Sequence, residues 1–587
     1  MTDVVTTTPP AAIRSPARTR QSPPWRLLAP ILIVAAGVIA YCNSLNGPFI
    51  FDDIRAIEHN ESIRALWPPQ RALVAPPGNT FAARPIANLS FAISYAMFGL
   101  DVRGYHATNI ALHVCAALVL YGVLRRTFRL PRLRERFGRD ADAIALAITL
   151  LWEVHPMLSE AVTYISTRTE VLMGLFFLLT FYCAARAFES TRPAKWYALA
   201  VVACAIGMGC KEVMVAAPLL VFLYDALLVH DGSFLAPLRR RPAFYGMLAA
   251  TWLITPALLF LLTDLTKHTG QGLGSITPWR YALTQTGVIV HYFRLALWPD
   301  QLTIDHFDWP IAQSVAQVWA YALIVLAALL LTVSGLVRRR PWALLGAWVF
   351  AILAPTSSFV PLGSEVVAER RMYLPMIALL IALVLLGRRL IGERRGLSVG
   401  VVGVLVVVLT IATLDRNTDY SSAVSIWTDT VEKRPYDMRA LSELARLLAA
   451  EGRHREAREY AERVVRIDPT YPGALTALGG ILIGEGRLEA ANHNLRLAVL
   501  LDPRDSLAHA NLGLALARQG RTDEAIEKYR EALSRSPNFV DAHVYLAEAL
   551  AQKGETAEAI AHLETALRLQ PDAADIRAQY DRLKQKN

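Results

Sequence analysis

The chain has 587 residues, of which 54% are hydrophobic and only 19% charged, with a net charge of +10. So low a charged fraction excludes an ordinary soluble enzyme of this size and points to a chain that crosses a membrane many times. The positive balance does not signal a nucleic-acid partner, because the arginines cluster between apolar runs without the aromatic interleaving of a basic nucleic-acid face.

In chain order, the first 26 residues are rich in Thr, Pro, Ala, Ser and Arg and are predicted to form a disordered tail. Arg14, Arg18, Arg20 and Arg26 precede the first apolar run, and no small-residue cleavage site follows it. That pattern predicts a retained span with a cytoplasmic N-terminus rather than a cleaved signal peptide. Apolar runs at 27–46, 105–124, 141–156, 170–188, 196–210, 213–229, 244–263, 317–336, 342–358, 373–387 and 397–414 predict eleven spans. The run 280–297 holds His291 and Arg294 and ends in Trp298-Pro299, so it is expected to lie along the membrane surface, as is a helix near 86–98. With that assignment the arginine clusters at 125–139, 239–241, 338–340 and 388–395 all fall on the cytoplasmic side. The outer side then receives loops 47–104, 157–169, 264–316 and 359–372 and everything after the last span. The five cysteines, Cys42, Cys115, Cys183, Cys204 and Cys210, sit in or beside apolar runs with no C-x-x-C spacing and read as small helical hydrophobes.

Beyond residue 415 the pattern changes. Prolines stand at 435, 469, 503, 537 and 571, glycines at 452, 486, 520 and 554, and alanines at 457, 491, 525 and 559, always 34 apart. This is the period of tetratricopeptide repeats. Leu444, Leu478, Leu512 and Leu546 mark the packed face of each first helix, the glycine makes the turn, and the alanine lets the second helix approach. Four repeats are predicted over 436–571, after a linker and entry helix at 416–435 and before a capping helix at 572–587. The membrane domain takes 27–415. Such arrays bind partners in a concave groove.

The polar residues that stand out lie on the outer loops. The first loop has Asp52 and Asp53 in Gly47-Pro-Phe-Ile-Phe-Asp-Asp-Ile-Arg55, then Arg84-Pro85 and His106-x-x-Asn109-x-x-x-His113. The second has Glu153-Val-His155-Pro156, Glu160-Ala-Val and Arg168-Thr-Glu170. Lys211-Glu212 lies between two short spans, and the fourth loop reads Ala368-Glu369-Arg370-Arg371-Met-Tyr373-Leu-Pro375; Arg416-Asn417 closes the last span. Each alone has a plain explanation: a histidine near a helix end is usually hydrogen-bonded, an arginine pair anchors at headgroups, a Lys-Glu pair packs. Acids, imidazoles and guanidinium groups recurring at one membrane face point to a functional site.

The order of these motifs resembles the transmembrane and tetratricopeptide-repeat-containing family, related to the protein O-mannosyltransferases within the C superfamily of glycosyltransferases (GT-C). The resemblance covers about residues 40–571. It implies an all-α fold, a polytopic helical domain of GT-C type followed by an α-solenoid. It also implies transfer of a sugar from a polyprenyl-phosphate carrier to an acceptor hydroxyl, on protein Ser/Thr or on a glycan, on the periplasmic side of a bacterial inner membrane. The repeats would recruit the acceptor or a protein partner; no nucleic acid is involved. On this reading Asp52 or Asp53 is the catalytic base, Asp52 being favoured, and Arg370 and Arg371 hold the lipid phosphate because guanidinium forks match phosphate oxygens. Arg84, His106, His155 and Lys211 are further phosphate ligands, with Glu160, Glu212, Glu369 and Tyr373 in support. Asp52, Asp53, His155 and Glu160 include ligand types for a divalent metal, but no spacing demands one. The long soluble sugar-binding insert of some relatives is missing and the third outer loop is short, which leaves the acceptor open. The competing reading is a non-catalytic, membrane-anchored repeat scaffold for envelope protein assembly. A transporter is disfavoured, because inverted repeats and broken helices are not evident.

Overall fold

The computed structural model describes residues 25–76, 79, 81–262, 276–358, 365–392 and 394–586. Most of the expected disordered tail, and parts of the third and fourth outer loops, lie outside these residues. Among the described residues all regular structure is helical.

Every predicted span falls on helix: Trp25–Tyr41, Val102–Thr127, Ala141–Glu153, Arg168–Glu189, Ala194–Met208, Ala216–Tyr224, Pro242–Ala250 continued by Ile254–Leu262, Val315–Val337, Ala343–Leu353, Pro375–Ile391 and Arg395–Asp419. By length and composition, six helices among the described residues can cross a bilayer alone, or seven with the bent pair Pro131–Glu153 and Pro156–Thr163. The shortfall from eleven lies largely in short helices. Ala343–Leu353 has 11 residues, Ala194–Met208 has 15 and Pro375–Ile391 has 17. At 1.5 Å per residue these reach about 16–26 Å, less than a hydrocarbon core of ~30 Å. The long helices expose their apolar sides: only 11% of the Val315–Val337 window and 6% of the Arg395–Asp419 window is buried within the protein. Lipid is the solvent for such faces, and the chain is a multi-pass membrane protein.

Contacts between loops sort the helix ends into two groups. At one end Arg125 and Arg129 share Asp142 (3.0 and 2.6 Å), Arg388 and Arg395 share Asp140, and Arg132 donates to the Arg339 carbonyl. At the other, the Asp52 N–H donates to the Tyr164 hydroxyl (2.9 Å), the Arg370 N–H to Glu160 (2.8 Å) and the Thr303 N–H to Glu369 (2.7 Å). Helix Pro278–Leu297 makes its contacts at this second end along its length: Tyr281 with the Thr356 carbonyl, Gln285 with the Val366 carbonyl, and the Ala296 carbonyl with His155. It therefore lies across that end of the bundle rather than running through it.

The C-terminal region is four antiparallel helix pairs, from Met438–Ala450 with His454–Ile467 to Val540–Lys553 with Thr556–Leu569, closed by Ala574–Lys586. Gly452, Gly486, Gly520 and Gly554 all take positive φ, 74 to 88°, at the turn inside each pair, a conformation only glycine adopts without strain. Ala457, Ala491, Ala525 and Ala559 are fully buried, which is the close approach the spacing predicted.

The first repeat is welded to the membrane domain. Ile50, Tyr164, Tyr420, Ile426, Trp427, Leu441 and Leu444 form one apolar cluster, with Phe51 and Ile304 packed on it. Around it Arg439 pairs with Asp305, Arg434 with Asp308 (2.6 Å), and Lys433 donates to the Leu302 carbonyl (3.0 Å). Asp437 uses one carboxylate oxygen to cap helix Met438–Ala450 and the other to accept from the Phe307 N–H (2.9 Å). Farther along the solenoid, Asp541 of the fourth repeat comes within electrostatic reach of His59 in the first loop.

Candidate active site

The turn Ile50–Asp53 presents the two aspartates differently. Asp53 is fully buried, and its carboxylate accepts from the Ile50 N–H (3.1 Å) and the Ser166 N–H (2.7 Å). Burial pushes it up to about 7, against the pull of those two donors. It pins loop one to loop two. Asp52 remains partly open and anchors the turn only by its backbone N–H on Tyr164. Phe51 before them takes φ +45°, a left-handed conformation that a bulky residue adopts only when its surroundings enforce it. Its ring meets Trp427 edge-on at 5.3 Å. The segment Ile54–Glu58 that follows is a single turn of π-helix.

The free carboxyl of Asp52 faces a charge cluster. Burial and the neighbouring Glu365 raise its pKa, and Arg370, Arg55 and Arg439 oppose them. Arg370 lies at the centre, paired with both Glu160 and Glu365. Burial alone would raise Glu365, but Arg370 and Arg371 outweigh it and hold that carboxyl at about 2. Of the two acids on Arg370, Glu365 is the more exposed, 35% against 2% for Glu160. Asp52, Glu160 and Arg370 are thus brought together from three loops.

The other predicted residues fall around this centre or away from it. Glu369 is buried, accepts from the Thr303 N–H and lies 3.8 Å from His306; burial pushes it up to about 8. The Arg371 guanidinium donates to the Val366 and Glu365 carbonyls and so shapes the loop that carries Arg370. Lys211 is paired with Glu170 in the interior, and Arg84 with Glu212 at 3.4 Å. His106 is held on the Gly47 carbonyl (3.0 Å) at the base of the aspartate loop. Both ring nitrogens of His155 are engaged, one accepting from the Met157 N–H and the other on the Ala296 carbonyl. The Tyr373 hydroxyl contacts His113 at 2.8 Å and its carbonyl accepts from Trp152. Arg168 is fully buried, bonded to Asn109 (2.6 Å), Ser94 and two carbonyls over the Phe91 ring, and holds the helices that carry the loops.

Two participants were not singled out from the sequence. Glu365 lies four residues before Glu369 and could have been found as one more acid in an arginine-bearing outer loop. The Asp305–Arg439 pair joins the third loop to the first repeat, and no local pattern marks it. Among the described residues no group of three or more His, Cys, Asp or Glu side chains is placed to hold a metal ion.

Tetratricopeptide repeat models match residues 413–472, 476–539 and 516–586. Such repeats serve protein–protein interaction. Over 409 residues the chain is 28% identical to mouse "Protein O-mannosyl-transferase TMTC4", covering 59% of this chain and 54% of that protein. Over 540 residues it is 25% identical to Drosophila melanogaster "Protein O-mannosyl-transferase Tmtc3", covering 77% and 56%. The match thus spans about half the length of these relatives. Among solved structures, a thermophilic tetratricopeptide-repeat protein of Thermus thermophilus aligns at 27% identity and TM-score 0.26, covering 30% of this chain and 94% of that one. The similarity foreseen from the motif order is thereby found directly: the chain is a membrane protein with a repeat region, similar to the transmembrane and tetratricopeptide-repeat-containing proteins.

Proposed function

We propose that the chain is a glycosyltransferase that moves a sugar, mannose in the first instance, from a polyprenyl-phosphate carrier to an acceptor hydroxyl. The observation that carries this reading is the open carboxyl of Asp52 within electrostatic reach of Arg370 on the loop face of a lipid-embedded helix bundle. The relatives named protein O-mannosyl-transferases support the reaction class.

Asp52 takes the proton of the acceptor hydroxyl as its oxygen attacks the anomeric carbon; the bond from that carbon to the carrier phosphate oxygen breaks, and the lipid phosphate leaves. Burial and Glu365 make Asp52 more basic than a free aspartate, which suits that role. A phosphate leaving group needs fixed positive charge rather than a proton, and Arg370 supplies it. The fork of Arg370 is preloaded by Glu160 and Glu365; the entering phosphate displaces the more exposed Glu365, while Glu160 keeps the guanidinium in place. Arg371 positions the loop. The acceptor is a protein hydroxyl delivered by the repeats, whose first pair is packed against the aspartate turn. The reaction belongs to the periplasmic side of a bacterial inner membrane.

The test is transfer by the purified full chain from polyprenyl-phosphate mannose to a Ser/Thr-rich acceptor peptide. Asp52→Asn should lower turnover by roughly 100-fold or more with carrier binding kept. Wild-type turnover in Asp52→Asn would remove Asp52 as the base, and no transfer by the unsubstituted chain under conditions where it is folded would favour the membrane-anchored scaffold instead.

A further inference from the structure

Away from the Asp52–Arg370 cluster, and sharing no residue with it, a cavity of about 570 Å³ opens between helix Pro278–Leu297, the start of helix Val315–Val337 and the end of the linker helix, Ala423–Lys433. Gly287, His291, Arg294, Trp309, Tyr321 and Arg434 are among the residues that line it. Its character changes from one side to the other. On one side stand two guanidinium groups. Arg434 is held through Nε on Asp308 and lies over the Trp309 ring; Arg294 is held on Asp300 at 2.9 Å; neither aspartate lines the cavity. On the other side the cavity-lining face of Val315–Val337, Gln317, Val318 and Tyr321, continues along the helix toward Ile324, where Tyr321 and Ile324 are 45% and 56% exposed on a largely lipid-facing helix. Two further observations bear on the space. His291 lines it with its ring 4.9 Å from that of Trp309, adding an imidazole to the polar part of the wall. Gly287 stands in the middle of a 20-residue helix, and a Cβ there would meet nothing closer than Tyr321 at 3.6 Å and Trp309 at 3.9 Å. The glycine keeps the helix surface back from the aromatic wall.

We propose that this cavity binds the anionic phosphate headgroup of a membrane lipid, with Arg294, Arg434 and His291 around the phosphate and the acyl or prenyl chain leaving along Val315–Val337. A polar solute would leave the adjoining apolar face unused, and a purely apolar ligand would leave unmatched the N–H donors that Arg294 and Arg434 keep beyond their aspartate partners. An amphiphile with an anionic head matches both halves. Because Arg434 ends the linker helix and Trp309 follows the loop that grips the first repeat, the lipid would brace the joint between the membrane domain and the solenoid.

The experiment is native mass spectrometry of the full chain released from micelles containing phosphatidylglycerol and phosphatidylcholine in equal amounts. The wild type should retain phosphatidylglycerol in preference to phosphatidylcholine. Gly287→Leu, which fills the space with a better helix former, and Arg294→Gln, at a half-exposed position, should each lower that occupancy about fivefold or more. Equal retention of the two lipids, or unchanged phosphatidylglycerol in Arg294→Gln, overturns the assignment even if Gly287→Leu fails to fold. A second arm adds polyprenyl phosphate: displacement of phosphatidylglycerol from the wild type but not from a residual pool in Gly287→Leu identifies the carrier as the occupant, and persistence identifies bulk phospholipid. Both outcomes keep the site.

Discussion

Asp52 and Asp53 are neighbours in sequence and opposites in environment. Asp53 has both carboxylate oxygens on backbone N–H groups in the interior, so Asp53→Asn must turn an amide NH2 toward one of those donors. The substitution should cost about 1–3 kcal/mol, seen as a lower melting temperature of the detergent-solubilised protein. Asp52→Asn, with no such bonds, should melt like the wild type. The opposite ranking would make Asp52 the structural residue. Glu369 provides the pH-dependent case. Burial raises its carboxyl to about 8 in the folded protein, above the ordinary 4.5. Its stabilising contribution is therefore complete below about pH 4.5 and is lost as pH rises through 8, because the unfolded chain ionises first. Glu369→Gln carries no such proton. The melting temperature of the wild type, followed from pH 5 to 9, should fall relative to Glu369→Gln, and parallel curves would place an ionised Glu369 in the folded protein at neutral pH.

Among the elements, the repeats were fully legible from the sequence, because each helix pair contacts mainly its neighbours and a local 34-residue period encodes nearly all of its packing. The helical runs of the membrane domain were legible too, since lipid demands continuous apolar sequence. Their status as spans was not, because apolarity marks a buried short helix and a crossing helix alike, as Ala343–Leu353 illustrates. The site was legible in part. Asp52, Glu160 and Arg370 were read as one face; Arg370 pairs with Glu160, and Asp52 lies within electrostatic reach of Arg370. That Arg371 turns inward to two carbonyls, that His155 has both nitrogens engaged, and that Glu365 completes the cluster depend on how three loops fold together, which no spacing records. The same holds for the contact between Phe51 and Trp427. The left-handed backbone at Phe51 needs outside support, and the linker helix supplies it. Trp427→Ala should lower turnover by about tenfold or more through loss of Asp52 alignment. Trp427→Phe, which keeps an aromatic edge, should recover most of it. Carrier binding should be unchanged in both, since Arg370 is held by Glu160 and Glu365. A fall in carrier binding equal to the fall in turnover would mean general unfolding of the loop face instead.

At the scale of the whole molecule, the arrangement is one of opposed ends. Arginine-bearing loops at 125–142, 338–340 and 388–395 gather at one end and bond to each other. The aspartate turn, the Arg370 loop and helix Pro278–Leu297 occupy the other, and the solenoid docks there through Arg439, Arg434 and Asp437. Positive loops stay in the cytoplasm during insertion, since moving Lys and Arg across the membrane is resisted. We therefore propose the arginine end as the inner one, with the repeats, fixed to the opposite end, lying outside together with the candidate site. This orientation rests on loop contacts and charge without a span count, and so does not depend on whether the short helices cross fully. It predicts that a reporter active only outside the cytoplasm is active when fused after Asn587 and silent when inserted at Leu133, between Arg132 and Arg134. A reporter at Asp308, in the loop that grips the first repeat, should agree with the C-terminal fusion, because that loop and the solenoid share one side. Disagreement between those two fusions, with both proteins stably made, would mean that the docked arrangement of repeat and membrane domain does not form in the bilayer.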